Sequence, residues 1–207
     1  LIGDFIYSKA FMLMNEIGNF KVIDELSSAT NKIAEGELMQ LANKNNLNTS
    51  LQQLKKISYY KTGRLFEASA KSAAMLSGKS IPFIENISKA AKLIGIAFQV
   101  RDDLLDYGVS KGNIGKPEMQ DILEDKITYP LYFALKYSNK KDSSKILKKL
   151  KNKDFSIEEV ADFVSSSNAF NKCNSLIQNY NNEISKCINQ ISNKEIRDEM
   201  LNLSESL

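Results

Sequence analysis

Apolar residues recur at intervals of three and four along most of the chain, while the strict alternation typical of β-strands is weak throughout. This interval is the period of an α-helix, so the pattern predicts an all-α fold. Of the 207 residues, 43% are hydrophobic, which is enough to bury one sizeable core. We therefore predict a single helical domain over residues 1–207.

Glycine, asparagine and serine mark the predicted ends of the first three helices. The first helix, "IGDFIYSKAFMLMNEI", ends near Gly18, and the second spans approximately residues 21–44. Either Thr49 or Ser50 caps the third helix, which contains "YYKTGRLFEASAKSAAML" and ends at Gly78.

Proline and glycine divide the remainder of the chain. Pro82 suits the first turn of a fourth helix that continues to Gly108. A loop with three glycines in eight residues, "GVSKGNIG", follows. Pro130 is expected to kink or break the next helix, and from about Ser143 we expect three more amphipathic helices.

The charge distribution makes no case for nucleic-acid binding. Lys and Arg number 28 against 25 Asp and Glu, a net charge of +3, and the lysines are scattered. The one basic cluster, residues 140–153, is interpreted as a solvated helix face, with contact to anionic lipid or polyphosphate as the alternative. No run of 18 apolar residues occurs, so we predict no transmembrane helix, and no targeting pattern is visible.

The chain contains no histidine, which excludes Ser–His and Cys–His nucleophile pairs and every metal site built on imidazole. A metal site must then use oxygen ligands, which favour hard cations such as Mg²⁺. Cys173 and Cys187 stand fourteen positions apart, without a CxxC motif or a secretory signal. We therefore expect reduced thiols and a cytoplasmic location.

Acidic residues gather at the end of the fourth predicted helix, in "FQVRDDLLD". Helical geometry brings Gln99, Asp102, Asp103 and Asp106 into one sector. Like charges at this spacing cost about 0.2–0.5 kcal/mol per pair, and the helix dipole disfavours anions at a C-terminal end. A divalent cation would relieve both penalties. The alternative is an ordinary acidic surface run.

The neighbouring residues favour the metal site. The apolar stretch "LIGIAF" precedes the acids and places them at the rim of a core. Magnesium held by aspartates, with positions left for waters and phosphate oxygens, commonly meets a diphosphate. Lys61 with Thr62, Lys116 and Lys126 could complete such a site, although each lysine taken singly reads as a solvated surface residue.

Several ordered segments closely resemble the trans-type polyprenyl diphosphate synthases: "GDFIYSKAF", "EGELMQL", "YKTGRLFEASAKSAAML", "GIAFQVRDDLLDY" and "GKPEMQDILEDKITYPL". The resemblance is continuous from about Leu1 to Leu135. It implies an isoprenoid synthase fold, an antiparallel helical bundle around a central apolar cavity, usually as a homodimer. It also implies two aspartate-rich motifs that face each other and hold three Mg²⁺ ions.

The resemblance gives "DDLLD" the part of the second aspartate-rich motif. Asp102, Asp103 and Asp106 would bind Mg²⁺, and Gln99 would stand near the reacting allylic carbon. The expected catalytic residues are Lys61, Gln99, Asp102 and Asp103.

The resemblance also implies diphosphate contacts. Lys61 and Thr62 match the family's KT pair, which contacts the allylic diphosphate. Lys116 matches the lysine of the GK motif, and Lys126 matches the lysine that precedes "ITYP". The expected substrate-binding set is therefore Lys61, Thr62, Gln99, Lys116 and Lys126.

The sequence departs from the family pattern in two respects. Met119 stands where the family usually has glycine, and Asp125 where it often has glycine, so we expect a differently shaped loop. The printed sequence has no other DDxxD motif. We expect the first aspartate-rich motif and the basic residues that bind isopentenyl diphosphate to lie upstream of the N-terminal helix, and the 207-residue chain alone to be inactive.

The activity implied is condensation of isopentenyl diphosphate with an allylic diphosphate to a linear trans-polyprenyl diphosphate, with octaprenyl or a similar long chain expected. The alternatives are a noncatalytic regulatory subunit and a cyclising or head-to-head terpenoid synthase, which usually carries an NSE-type motif instead. Release of the product could involve peripheral contact with a membrane. We expect four apolar side chains of the first helix to line part of the cavity or, alternatively, to belong to the hydrophobic core: Phe5, Ile6, Phe11 and Met12.

Overall fold

The computed structural model describes residues 1–108 and 119–206. Helices dominate this part of the chain and it contains no strand, which confirms the predicted all-α fold. A π-helical segment, Tyr59–Gly63, separates the third and fourth helices. The α-helices are α1 (Ile2–Ile17), α2 (Phe20–Ala42), α3 (Leu51–Ser58), α4 (Arg64–Leu76), α5 (Ile81–Asp106), α6 (Gln120–Leu123), α7 (Tyr129–Tyr137), α8 (Lys140–Asn152), α9 (Ile157–Ser166), α10 (Ala169–Ile188) and α11 (Lys194–Glu205).

Local cap chemistry accounts for most of the helix boundaries. Gly18 ends α1 in the left-handed conformation, with φ of 64°. Asn19 then caps α2, because its side chain accepts hydrogen bonds from the first backbone amides of that helix. Ser50, rather than Thr49, caps α3 by accepting from the amide of Gln53. Pro82 lies in the first turn of α5, as predicted.

The prediction of one continuous helix up to Gly78 is wrong at its centre, where the π-helical segment interrupts it. Pro130 does break the chain's next helix: α6 ends at Leu123, and α7 begins one residue before the proline. The predicted glycine-rich loop that begins at Gly108 lies almost entirely outside the described residues.

The C-terminal part holds four helices rather than three, and the first of them begins at Lys140 rather than near Ser143. Asn139 caps that helix by accepting from the amide of Asp142. Helix α9 ends at Ser166; at Ser167 the backbone is extended, and its side chain accepts from the amide of Ala169. Between α8 and α11 the sequence has no glycine or proline, and the helix ends there coincide with serine and asparagine instead.

The core is built around α5, which packs against both α4 and α10. Ala90, Ala97, Val100 and Leu104 on α5 are fully buried. Close packing at the π-helical segment depends on glycine: a Cβ added to Gly95 would lie 2.7 Å from the Cα of Gly63. The helix therefore approaches the segment backbone to backbone.

Helix α1 is the exception to this burial. Met14 is its buried residue, whereas Phe5, Ile6, Phe11 and Met12 are all exposed. The expectation that these four side chains line a cavity or a core is therefore wrong for the structure described, because α1 has few neighbours to pack against. Among the residues that the structure describes, no helix is long and apolar enough to cross a membrane.

Replacement of Gly95 by alanine tests the close packing. The added Cβ would also lie 3.0 Å from the ring of Phe66, so we expect Gly95→Ala to lower the free energy of unfolding by about 1–3 kcal/mol. Urea unfolding followed by circular dichroism measures this change. Gly3→Ala is the matched control, because nothing lies within 4 Å of its added Cβ and alanine favours a helix. Equal stability of Gly95→Ala and wild type would contradict the packing.

Candidate active site

Asp103 connects the end of α5 to the start of α7. Its side chain is buried; Oδ1 accepts from Gln99 Nε2 at 3.0 Å, and Oδ2 accepts from the backbone N–H of Tyr129 at 3.2 Å. The second bond satisfies one of the free amides at the N-terminus of α7. Burial, with the negative charge of Asp121, raises the pKa of Asp103 to about 8.

The other two aspartates of "DDLLD" have different surroundings. Asp102 is exposed and accepts a hydrogen bond of 3.2 Å from Gln99 Nε2. Asp106 accepts from the backbone amides of Gln120 at 2.8 Å and Asp121 at 3.3 Å, the first two residues of α6. Gln99, Asp102 and Asp103 therefore meet as predicted, whereas Asp106 is directed towards α6.

Asp121 is a site residue that the sequence did not reveal. It lines a cleft of about 310 Å³ together with Asp102 and Asp106. Burial and the charge of Asp106 raise the pKa of Asp121, and the ammonium of Lys126 opposes this shift. In sequence, Asp121 is an acid in the first turn of a helix, where the dipole favours negative charge. Because an acid is common at such a position, the sequence did not mark Asp121 as a residue of the cleft.

Lys61 and Thr62 lie on the π-helical segment, a type of helical bulge that is frequent at functional sites. Thr62 Oγ1 donates to Gln99 Oε1 at 2.9 Å, which joins the segment to α5. Lys61 Nζ donates to Gln40 Oε1 at 2.8 Å and lies 3.5 Å from Glu37 Oε1, so α2 holds the ammonium.

Glycine in α2 sets the position of Lys61. A Cβ at Gly36 would lie 2.6 Å from the backbone nitrogen of Lys61 and 2.9 Å from the carbonyl carbon of Tyr60. The absence of a side chain at Gly36 therefore lets the π-helical segment rest directly on α2. Together with the contact between Gly63 and Gly95, this fixes the segment between two helix backbones.

Lys126 lies in the connection between α6 and α7. Its Nζ is 2.8 Å from Glu124 Oε2 and 3.7 Å from Asp121 Oδ1. Burial lowers the pKa of Lys126, but these two carboxylates outweigh that effect and raise it. Lys126 and Lys61 line one cavity, as predicted for two of the three lysines. Lys116 lies outside the described residues.

Met119 and Asp125 both adopt the left-handed backbone that glycine favours, with φ of 54° and 61°. Met119 is fully buried at the start of α6. The carboxylate of Asp125 pairs with Lys153 at 2.8 Å, and its carbonyl accepts from the amide of Asn45. Met119 and Asp125 thus adopt the backbone conformation that glycine would allow, and the surrounding contacts stabilise it.

The donor set of the cleft fits a hard cation. Asp102, Asp106 and Asp121 provide carboxylate oxygens, the ligands that Mg²⁺ and Ca²⁺ prefer. Over residues 1–108 and 119–206, however, no group of three or more acidic or thiol side chains is already arranged to hold a metal ion. A cation here would need further oxygens from water or from a bound anion.

The chain belongs to the polyprenyl synthetase family, whose model matches residues 1–167. Octaprenyl diphosphate synthase of Escherichia coli (strain K12) is 38% identical over 146 residues, which cover 70% of this chain and 45% of that protein. The all-trans-nonaprenyl-diphosphate synthase (geranyl-diphosphate specific) of Rhodobacter capsulatus is 33% identical over 174 residues, covering 84% and 53%. The chain thus spans about half the length of these relatives.

Solved structures confirm the isoprenoid synthase fold predicted from the resemblance. The polyprenyl synthase from Caulobacter crescentus CB15, complexed with calcium and isoprenyl diphosphate, matches with a TM-score of 0.90 and 27% identity over 99% of this chain and 63% of that one. A decaprenyl diphosphate synthase from Rhodobacter capsulatus matches with a TM-score of 0.88 and 25% identity, covering 99% and 64%.

Asp103 should make the stability of the metal-free chain depend on pH. Its pKa is raised from 3.8 to about 8, so the folded state binds this proton more tightly than the unfolded state. The resulting stabilisation is complete below about pH 4 and is lost as the pH rises through about 8. We expect Asp103→Asn, which stays neutral, to lose less stability than wild type across this range.

Urea unfolding in EDTA at several pH values measures the difference. Asp162→Asn is the control, because Asp162 is an exposed acid on α9. An Asp103→Asn variant whose stability falls with pH as steeply as that of wild type would contradict the buried carboxylate.

Proposed function

We propose that the protein is a Mg²⁺-dependent prenyltransferase that condenses isopentenyl diphosphate with an allylic diphosphate to a linear trans-polyprenyl diphosphate. One observation carries this proposal: Lys61 and Lys126 line a cavity with Gln99 and Asp103, and two residues of that cavity, Gln99 and Lys126, contact Asp102 and Asp121 of the acidic cleft. Ammonium groups beside carboxylates suit a metal diphosphate, whose phosphate oxygens bind the lysines and whose cation binds the acids.

The reaction begins with the allylic diphosphate. Its C–O bond breaks, the electron pair leaves with the diphosphate, and Lys61, Thr62 and Lys126 bind the anion that forms, with Lys116 as a further expected contact. Fixed positive charge at a developing anion often supplies a large part of catalysis. Bound Mg²⁺, held by Asp102 and Asp106 of the predicted trio together with Asp121, would supply additional charge neutralisation of the leaving group, whereas both oxygens of Asp103 already accept hydrogen bonds.

We propose that Gln99 acts in the second half of the reaction. Its Oε1 accepts from Thr62 and its Nε2 donates to Asp102 and Asp103, so both ends of the amide are fixed. We expect this side chain to lie beside the allylic carbon. The double bond of isopentenyl diphosphate attacks the allylic cation and forms the new C–C bond. A proton then leaves to a diphosphate oxygen, since the chain has no histidine.

We propose a long-chain product, because relatives of this chain are named octaprenyl and nonaprenyl diphosphate synthases. A product of that length would favour peripheral contact with a membrane during release. We also propose a cytoplasmic location, for which the free, buried thiols of Cys173 and Cys187 are the support. No relative reported above favours a regulatory subunit or a cyclising synthase.

Turnover in Mg²⁺ with isopentenyl diphosphate and an allylic primer tests the activity. In the protein as its gene encodes it, we expect Asp102→Ala to reduce kcat/KM by about a thousandfold or more, because a ligand of the leaving-group cation is lost. Helical content should stay nearly unchanged. Asp162→Ala, an exposed acid on α9, is the control.

Unaffected kinetics of Asp102→Ala would contradict the metal assignment. The 207-residue chain assayed alone should show little or no condensation, because the family uses two aspartate-rich motifs and this sequence holds one. Robust turnover by that chain would mean that one motif suffices.

We propose a homodimer that is formed through α1 and the start of α2. Ile2, Phe5, Ile6 and Phe20 expose 79%, 72%, 62% and 87% of their surface. Large exposed apolar residues concentrated on one helix and at the start of the next commonly mark a protein interface, and a second copy is the commonest partner.

Charged substitution tests this interface. We expect Phe5→Asp combined with Phe20→Asp to convert a dimer into a monomer, because burial of two carboxylates in an apolar contact is unfavourable. Sedimentation equilibrium measures the mass. Leu203→Asp, at an exposed leucine on α11, is the control that should remain dimeric. A monomeric wild-type protein would contradict the proposal.

A further inference from the structure

Thr128 carries a buried hydroxyl that no described residue satisfies. The residue is 5% exposed, and its Oγ1 has no hydrogen-bond partner within the described parts of the chain. Thr128 occupies the cap position of α7, where a threonine normally accepts from a backbone amide of the first turn. The second residue of this helix, Pro130, has no amide to donate, and Thr128 makes no side-chain cap bond.

Thr128 is one of the residues that line the cavity of Lys61, Lys126, Gln99 and Asp103. The cavity has a volume of about 30 Å³. This is room for a single oxygen-sized group, comparable with one water molecule. Thr128 therefore borders a small space that admits one oxygen atom of a ligand whose remainder lies outside it.

Other polar side chains of this wall already have partners. Ser58 Oγ is bonded to Tyr129 Oη at 3.0 Å, and Asn43 Nδ2 donates to Thr49 Oγ1 at 3.0 Å. Thr128 is thus the hydroxyl of this wall that remains available within the described residues. A buried polar group without a partner is unfavourable, so an oxygen that enters the cavity gains this bond at little cost in competing interactions.

We propose that Thr128 is a substrate-binding residue whose hydroxyl donates to one oxygen of the diphosphate held by Lys61 and Lys126. An anionic phosphate oxygen suits this position better than a neutral one, because two ammonium groups line the same cavity. The inference rests on the proposed function and adds a residue to its diphosphate site. A bound water is the competing occupant.

Calorimetric titration of the chain with inorganic pyrophosphate in Mg²⁺ separates these occupants. Thr128→Val keeps the shape of the side chain and removes the hydroxyl, so we expect affinity to fall about tenfold, as for a lost hydrogen bond to a charged group. Thr128→Ser keeps the hydroxyl and should bind within about twofold of wild type. Urea unfolding should show Thr128→Val to be no less stable than wild type, because no internal bond is lost.

Lys126→Ala serves as the reference for the diphosphate site itself. If Lys126→Ala weakens pyrophosphate binding while Thr128→Val leaves it unchanged, only water occupies the cavity; the inference then fails and the proposed function stands. If Thr128→Val loses stability together with affinity, the hydroxyl has a structural role and the inference also fails. If wild type does not bind pyrophosphate saturably, both the inference and the proposed diphosphate site are overturned.

Discussion

The buried carboxylate of Asp103 is the interaction on which the site depends. One of its oxygens receives the first amide of α7, and the other receives the amide group of Gln99. Gln99 in turn accepts from Thr62 on the π-helical segment. A single side chain thus connects three separate parts of the chain, and the orientation of the glutamine follows from it. Burial without a neutralising partner is unfavourable for a carboxylate, and the raised pKa reflects this.

The sequence predicted those features that local chemistry determines. Gly18 and Pro82 end and begin helices through backbone conformation alone, and the spacing of Gln99, Asp102 and Asp103 follows from helical geometry. The π-helical segment could not be predicted in this way, because it depends on close contacts that Gly36 makes across the fold. Asp121 was missed for the same reason: its proximity to Asp102 arises only when α6 packs beside α5.

Three aspartates that look equivalent in "DDLLD" have different surroundings in the structure. Asp103 is buried and joins helices, Asp102 is exposed, and Asp106 accepts from the first amides of α6. A motif match alone would assign all three to a metal equally. The structure instead leaves Asp102 with the most freedom to reach a cation, and adds Asp121 to the acids of the cleft.

The two hydrogen bonds that Asp106 accepts from α6 link the charge of this carboxylate to the folding of that short helix. Helix α6 has only four residues, too few to persist without support from outside. Its two leading amides depend on the same carboxylate that faces the cleft. A cation bound by Asp106 would therefore compete with these two amides for the same carboxylate oxygens. Cation binding at the cleft and the order of α6 would then be linked through one carboxylate.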